Sequence, residues 1–217
     1  MDRTIKVTGK GKVSAKLDLI RINISIKEIN KEYSKTLEMV SKSTKSLKET
    51  IIRAGLDIKN LKTLSFNISS QYESYYDKDN IYRSKFIGYC YKEKLYIQFP
   101  NDNKILSRVL YELSRCEVEV EFSIVYTVKD VNKIKNSLLE KAVEDSKNKA
   151  EILSKAAGVS LGKIKNINYS WGELEIYSRP IQDFELMKSD TVESYDMDIE
   201  ADDIDLEDSV TIEWEIS

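Results

Sequence analysis

The sequence predicts an α+β protein with a mostly antiparallel sheet packed on two long helices and one shorter helix. Several segments alternate apolar and polar residues at a period of two, which is typical of strands with one buried face. Other segments repeat apolar residues at intervals of three and four, which is typical of helices. Glycine and proline number only 7 and 2 among 217 residues, so we expect long elements with few breaks.

Strands are predicted where apolar side chains occupy every second position. Four isoleucines from Ile20 to Ile26 alternate with polar residues, and Val210, Ile212 and Trp214 repeat the pattern near the end of the sequence. One apolar and one polar face indicate a sheet that is covered on one side. The predicted strands cover residues 4–16 (where a hairpin is the alternative), 18–27, 61–72, 84–99, 117–128, 163–171 and 204–216.

Three helices are predicted between these strands. The first covers residues 30–54 and ends at Gly55, the second covers residues 102–115, and the third covers residues 130–157 and ends at Gly158. The strand–helix–strand order occurs twice, which suggests an internal duplication. The stripe predicted to face the sheet from the first helix consists of Tyr33, Leu37, Val40, Thr44, Leu47, Ile51 and Ala54.

The charged residues divide the chain into a basic body and an acidic late segment. Residues 1–182 carry a net charge of +10 and residues 183–217 a net charge of −13, although the whole chain carries only −3. Such a division is typical of nucleic-acid or membrane contact, or of self-neutralisation. We predict a single domain over residues 1–217, with an acidic loop over residues 183–203 that leads into the last strand.

Most familiar catalytic and metal sites are excluded by composition. Histidine does not occur in the sequence, which excludes Ser-His-Asp and Cys-His catalysis and histidine-ligated zinc within one chain. Cys90 and Cys116 cannot form a zinc site by themselves, and nothing in their spacing indicates that they pair. They are therefore predicted to be half-buried free thiols in a reducing compartment. The Gly-Lys-Gly-Lys run at residues 9–12 lacks the spacing of a phosphate-binding loop, so a strand hairpin or bulge is expected there.

The acidic residues 196–207 follow part of a calcium-binding EF-hand pattern. They depart from it at Ala201, where the loop needs glycine, and a solvated loop is the favoured interpretation. Adventitious divalent binding by this loop is left open. We therefore predict no catalytic residue, no cofactor and no metal site.

A carboxylate-based enzyme is one alternative that the sequence leaves. Glu117, Glu119 and Glu121 fall on one polar strand face, where paired acids could perform general acid–base catalysis. A solvated strand face is the favoured interpretation, because runs of charge usually face water. We therefore expect the protein not to be an enzyme.

Tyrosines cluster in and before the predicted strand 84–99. Seven of the 13 tyrosines lie between Tyr72 and Tyr96, interleaved with lysine and arginine. Such residues can stack bases and contact phosphates, so nucleic-acid or anionic-ligand binding by the basic body, residues 1–182, is the alternative function. We favour a protein–protein surface, where tyrosine supplies rigid amphipathic area. Phe86, Cys90 and Tyr96 lie opposite the core-facing residues and form the predicted contact patch, with burial under another element as the alternative.

Several short motifs, taken in their order along the chain, resemble the SIMPL domain family. The matching motifs are Ile5-Lys-Val7-Thr-Gly9-Lys-Gly11 followed by Asp18, Ala54-Gly55-Leu56-Asp57-Ile58 with Leu61-Lys-Thr63, Ile87-Gly88-Tyr89, Ala156-Ala157-Gly158 with Leu161-Gly162-Lys163-Ile164, and Val210-Thr-Ile212-Glu-Trp214-Glu-Ile216. The resemblance spans essentially the whole chain. It departs from the family at Leu17, where proline is usual.

The resemblance implies one α+β domain of poorly characterised role, without an established active site. Many bacterial relatives are envelope or periplasmic proteins, some are linked to oxidative stress, and some form large homo-oligomers. We expect a non-enzymatic, homo-oligomeric scaffold or interaction module whose partners are copies of itself and other proteins. The sequence as written shows no signal peptide and no apolar run long enough for a membrane span. This predicts a cytoplasmic protein, or an envelope or periplasmic one if a leader has been removed.

Overall fold

A computed structural model describes residues 3–169, 176–178 and 202–217. The strands, in chain order, are β1 (Thr4–Ala15), β2 (Leu19–Asn30), β3 (Lys62–Tyr76), β4 (Tyr82–Pro100), β5 (Val120–Thr127), β6 (Leu161–Asn168), β7 (Tyr177–Ser178) and β8 (Ile204–Ile216). The helices are α1 (Tyr33–Arg53), α2 (Asn103–Ser114) and α3 (Val131–Ala156), with a short 3₁₀ helix at Ile58–Asn60.

These elements confirm the predicted α+β class. The chain forms two compact units: the described parts of Met1–Asp18, Thr127–Ser178 and Ala201–Ser217 form the first, and Leu19–Tyr126 forms the second. The single domain over residues 1–217 stays a prediction, as does the internal duplication. The predicted acidic loop over residues 183–203 lies outside the described residues apart from its last two positions, which precede β8.

The first unit is built on an antiparallel sheet with the strand order β1–β8–β6. β1 and β8 pair without a register shift from Thr4 opposite Glu215 to Ala15 opposite Ile204. Helix α3 packs on β1 and β8. The buried core of this unit includes Val7, Ala142, Ala150, Val210, Ile212 and Trp214.

The two glycines of the Gly-Lys-Gly-Lys run lie inside β1, so the expected hairpin or bulge at this run is wrong. Their function is to let α3 approach the strand closely. A methyl group on Gly9 would lie 2.0 Å from the Ala142 carbonyl oxygen, and one on Gly11 would lie 1.9 Å from the Leu138 carbonyl oxygen. Neither distance is compatible with a side chain at these positions.

The second unit is built on a sheet in which β3, β4, β2 and β5 follow one another in space. β2 and β4 pair antiparallel from Leu19 opposite Pro100 to Asn30 opposite Tyr89. Helix α1 packs on β2 and β4 and also on α2. The four predicted core isoleucines between Ile20 and Ile26 are buried under this layer.

Side-chain caps define where two of the helices begin. The Asp102 carboxylate accepts hydrogen bonds from the backbone N–H groups of Lys104 and Ile105, at 2.7 and 3.3 Å. The Asp130 carboxylate accepts one from the backbone N–H of Lys133 at 2.9 Å. Such caps satisfy N–H groups that lack a partner inside the helix. Within the described residues, none of the helices is both long and apolar enough to cross a membrane.

Candidate interaction surface

The hairpin formed by β3 and β4 exposes a group of large apolar side chains. We call this group the hairpin surface. It consists of Leu64, Phe66, Tyr72, Tyr75, Tyr76, Ile81, Tyr82 and Phe86. Single exposed apolar residues are ordinary, whereas a group of aromatic side chains on one hairpin is typical of a contact site.

The tip of the hairpin is held by one carboxylate. Asp77 accepts hydrogen bonds from the backbone N–H groups of Asp79 and Ile81, at 3.0 and 2.9 Å, and from the Arg83 guanidinium at 2.8 Å. The Arg83 side chain, together with the Ile81 N–H, holds the pKa of the Asp77 carboxyl below its ordinary value. Asn80 adopts a positive φ of 60°, a conformation that asparagine tolerates in turns. The turn therefore fixes the neighbouring tyrosines relative to each other.

Aromatic rings contact one another along the hairpin in edge-to-face geometry. The rings of Tyr72 and Phe86 have centroids 5.6 Å apart, Phe86 lies 5.2 Å from Tyr89, and Tyr89 lies 5.3 Å from Tyr33 at the start of α1. Tyr76 and Tyr82 form a similar pair near the tip, 5.5 Å apart. These contacts keep the exposed rings in place without burying them.

The surface remains exposed because the helix layer covers only the inner strands. Helix α1 packs on β2 and β4, and Tyr91 of β4 is fully buried. Phe66 of β3 lies beside Tyr91, with ring centroids 5.6 Å apart, yet 52% of its surface is accessible. The apolar face of the sheet thus continues onto β3 beyond the helix.

The three residues of the predicted contact patch have different environments. Phe86 is 39% exposed and belongs to the hairpin surface. Tyr96 is half-buried, and its ring lies 3.9 Å beneath the Arg21 guanidinium carbon. Cys90 has no accessible surface, so at this position exposure is wrong and the alternative, burial, is correct. It lies in the interior strand of the sheet, between Ile29 of β2 and Ser69 of β3. A contact role for Phe86 and Tyr96 stays a prediction.

A buried carboxylate beneath α1 was missed by the sequence reasoning. Glu93 is 5% exposed and accepts hydrogen bonds from the hydroxyls of Tyr91, Thr44 and Thr63. Burial, together with the Glu93 carboxylate, raises the pKa of the Tyr91 hydroxyl. Position 93 follows the period of the core-facing residues 91 and 95, and this period was the available signal. Because glutamate is charged, position 93 was not assigned to the core.

A shallow, open groove with a mixed apolar and polar lining crosses the sheet of the second unit. It is lined by Asn23, Ile24, Ser25, Leu64, Lys94, Leu95, Glu121, Phe122 and Ser123. The three acids of the carboxylate alternative, Glu117, Glu119 and Glu121, are all exposed. The predicted common strand face is wrong, because only Glu121 lies in β5, whereas Glu117 and Glu119 precede the strand. The expectation that the protein is not an enzyme stays a prediction.

No group of three or more cysteine and acidic side chains in the described ranges is placed to hold a metal ion. Most of the acidic segment considered for divalent binding lies outside those ranges. Both thiols are free, with Cys90 buried and Cys116 partly exposed.

Comparison with known proteins shows which proteins this chain is similar to. The model of the SIMPL family, described as "Protein of unknown function (DUF541)", matches residues 5–214, which confirms the resemblance predicted from the motifs. The chain is similar to the 26 kDa periplasmic immunogenic proteins of Brucella melitensis and Brucella abortus, at 24% and 23% identity over 164 residues. The match covers 76% of this chain and 65% of the length of each relative, less than two thirds.

Proposed function

Because the chain belongs to the SIMPL family of proteins of unknown function, we propose that it is a non-enzymatic interaction module that associates with copies of itself. The observation that carries this proposal is the hairpin surface. Its aromatic side chains are exposed, most of them contact another aromatic ring, and Asp77 holds the tip of the hairpin. Rigid aromatic side chains lose little conformational freedom on binding, which makes them effective contact residues.

Association buries these rings and gains the free energy of removing apolar surface from water, about 25 cal/mol per Å². A second copy is the favoured occupant because the hairpin surface can meet its own equivalent through a two-fold axis. The charges near it are mixed, with Glu73 and Asp79 beside Lys78 and Lys85. Two copies can therefore approach without a large repulsion of like charge.

Light scattering of the full chain across a wide range of protein concentration tests this function. We expect a mass above the 25.1 kDa of one chain that rises with concentration. A Tyr72→Ser/Phe86→Ser variant should weaken the association roughly tenfold or more, since it removes two aromatic contacts. The matched control is Ile152→Ser, which removes an apolar side chain that is 67% exposed on α3. A strict monomer at every concentration would refute the proposal.

Nucleic-acid or anionic-ligand binding is the second candidate function. Lys85, Lys92 and Lys94 are exposed on the same hairpin as the aromatic rings, and such a combination suits single strands. We favour it less because Arg83 is held by Asp77 and the rings contact one another edge to face. Titration with a single-stranded oligonucleotide at low salt decides between them, since binding that weakens steeply with salt would favour this candidate.

For localisation we propose the envelope or periplasm rather than the cytoplasm. The support is the name of the two Brucella relatives, both called periplasmic proteins. Fractionation of cells that express the complete natural gene product tests this, and recovery with cytoplasmic markers would refute it. The link to oxidative stress that the resemblance implies stays a prediction.

A further inference from the structure

The outer strands of the two sheets differ in how their edges are protected from pairing with another chain. In the first unit, side chains of α3 cover the outer edge of β1. The Asp145 carboxylate accepts a hydrogen bond from the backbone N–H of Lys10 at 2.7 Å, and the Lys141 ammonium donates to the backbone carbonyl of Lys12 at 3.0 Å. An unpaired strand edge is a template for pairing with another chain, and these contacts occupy β1.

The other outer strand of that sheet, β6, carries two protections of a different kind. Lys163 and Lys165 lie within its eight residues. Its pairing with β8 shifts register twice, between Leu161 and Ile164 and again between Ile164 and Asn166. Lysine and irregular pairing both discourage the addition of a further strand.

The outer strand of the second unit, β3, carries few such protections. It is 15 residues long, and from Thr63 to Tyr76 its one charged residue is Glu73. From Ser65 to Gln71 it pairs with β4 without a register shift. Among the described residues it stands first in its sheet, with β4 as its neighbour. Register shifts between Thr63 and Ser65 and between Gln71 and Tyr72 bound this stretch. The unprotected part of the edge is therefore residues 65–71, which carry no charge, and a regular, uncharged edge of this kind favours pairing with another chain.

From this contrast we infer that β3 pairs antiparallel with β3 of a second copy. The β3-containing sheets of the two copies then form one continuous sheet. The inference rests on the proposed self-association and specifies its geometry. Antiparallel pairing places the Lys62 end of one strand near the Glu73 end of the other, whereas parallel pairing would align like charges. It also brings Phe66 of each copy to the same face of the joined sheet, where the helix layer leaves that ring exposed. Backbone hydrogen bonds and cross-strand side-chain pairs would then hold the two copies together.

Two asparagines, one on each outer strand, test the edge. Their cross-strand neighbours differ, since Asn67 lies opposite Lys92 of β4 and Asn166 lies opposite Glu213 of β8, so the folding of each variant is measured as well. Asn67 of β3 and Asn166 of β6 are both exposed on outer strands. We expect Asn67→Lys to weaken the dimer roughly tenfold or more, because it introduces a charge into the middle of the joined strands. Asn166→Lys should leave the dimer unchanged. Circular dichroism and thermal unfolding show that each variant remains folded. The reverse pattern, a dimer weakened only by Asn166→Lys, would overturn the inference and assign the contact to β6.

Cysteine cross-linking tests the two-fold geometry directly. Single cysteines replace Ser65, Asn67 or Ser69 in a Cys116→Ser background, since Cys90 is buried and protected. In a symmetric antiparallel pair only the residue nearest the two-fold axis faces its own equivalent, with Cα atoms about 4.5–5.5 Å apart. We therefore expect one position to form the disulfide dimer most rapidly.

The outcomes separate this inference from the proposed function. A strict monomer by light scattering overturns both. A stable dimer that none of the three cysteines cross-links, and that Asn67→Lys does not weaken, overturns the β3 pairing and leaves self-association through another part of the hairpin surface.

Discussion

Gly9 and Gly11 have a hydrogen atom where other residues have a side chain, and this allows α3 to lie close to β1. A methyl group at either position would lie within about 2 Å of a backbone carbonyl oxygen of α3. Since α3 cannot yield at its backbone without moving as a whole, we expect Gly9→Ala to lower the free energy of unfolding by about 2–3 kcal/mol. Urea denaturation followed by circular dichroism measures the change.

The matched control for Gly9→Ala is Ser14→Ala, at an exposed position of the same strand. It should change the free energy of unfolding by less than about 0.5 kcal/mol. Equal effects of the two substitutions would contradict the close approach of α3.

Tyr91 and Glu93 form a second arrangement that acts at the level of single residues. Tyr91→Phe removes a donor from a buried carboxylate, so we expect a loss of about 1–3 kcal/mol in the free energy of unfolding. Tyr75→Phe is the control, because Tyr75 is 46% exposed. A loss no larger than that of the control would contradict the role of the Tyr91 hydroxyl.

The same pair predicts a pH dependence of stability. The pKa of Tyr91 is raised above its ordinary value of 10.0, by burial and by Glu93, so the folded state holds a proton that the unfolded state releases. The stabilising contribution is therefore complete below pH 10 and is lost as the pH rises above it. Urea unfolding through the alkaline range should show a shallower decline for Tyr91→Phe than for the wild type. Identical slopes would count against this coupling.

At the scale of elements, the hydropathy pattern predicted which segments form helices but not the buried face of α1. Its second half agrees, since Leu47 and Ile51 are buried, but the predicted Tyr33 and Leu37 are 51% and 46% exposed. Thr36 and Ser43 are buried in their place. Ser43 donates to Glu28 at 3.1 Å, and this polar partner cannot be read from hydropathy. In the first half of α1, hydrogen bonds therefore decide which side chains are buried, whereas in the second half apolar contact decides it.

For the strands, too, the alternation of apolar and polar residues predicted some boundaries, whereas others depend on pairing between strands. Alternation predicted the central strands closely, because their apolar side chains face a helix layer. It ended β3 at residue 72, whereas the strand continues to Tyr76, since exposed tyrosines and serines give no alternation. The hairpin surface could be predicted in its composition, through the tyrosine cluster. Its exposure could not, because exposure depends on which strands α1 covers.

Asp145 joins two elements, and its titration should be visible in the stability of the protein. The Lys149 ammonium and the Lys10 backbone N–H hold the pKa of this carboxyl below its ordinary value of 3.8. Its contribution is therefore present above pH 3.8 and is lost as the pH falls below it. We expect Asp145→Asn to flatten this acid limb in urea unfolding. Glu38→Gln, at an exposed position of α1, should leave the limb as in the wild type, and a similar flattening there would contradict the assignment.

At the scale of the whole molecule, hydrogen exchange should rank the strands by their neighbours. β2 and β4 each pair on both sides, so their amides should exchange slowly. The outer strands β3 and β6 should exchange faster in dilute protein. As the protein concentration rises we expect exchange to slow in β3 but not in β6, as mass spectrometry of peptides from the two strands would show. Exchange in β3 that is independent of concentration would contradict the joined sheet.

The long pairing of β1 with β8 has a consequence for how the chain is made. Thr8 and Thr211 meet through their hydroxyls although 203 residues separate them, and the whole length of β1 depends on β8 in this way. The ribosome therefore releases β1 long before its neighbour exists. Because contacts between distant residues form slowly, the first unit completes its sheet only after translation has reached β8. Until then β1 is exposed to chaperones and to other nascent chains.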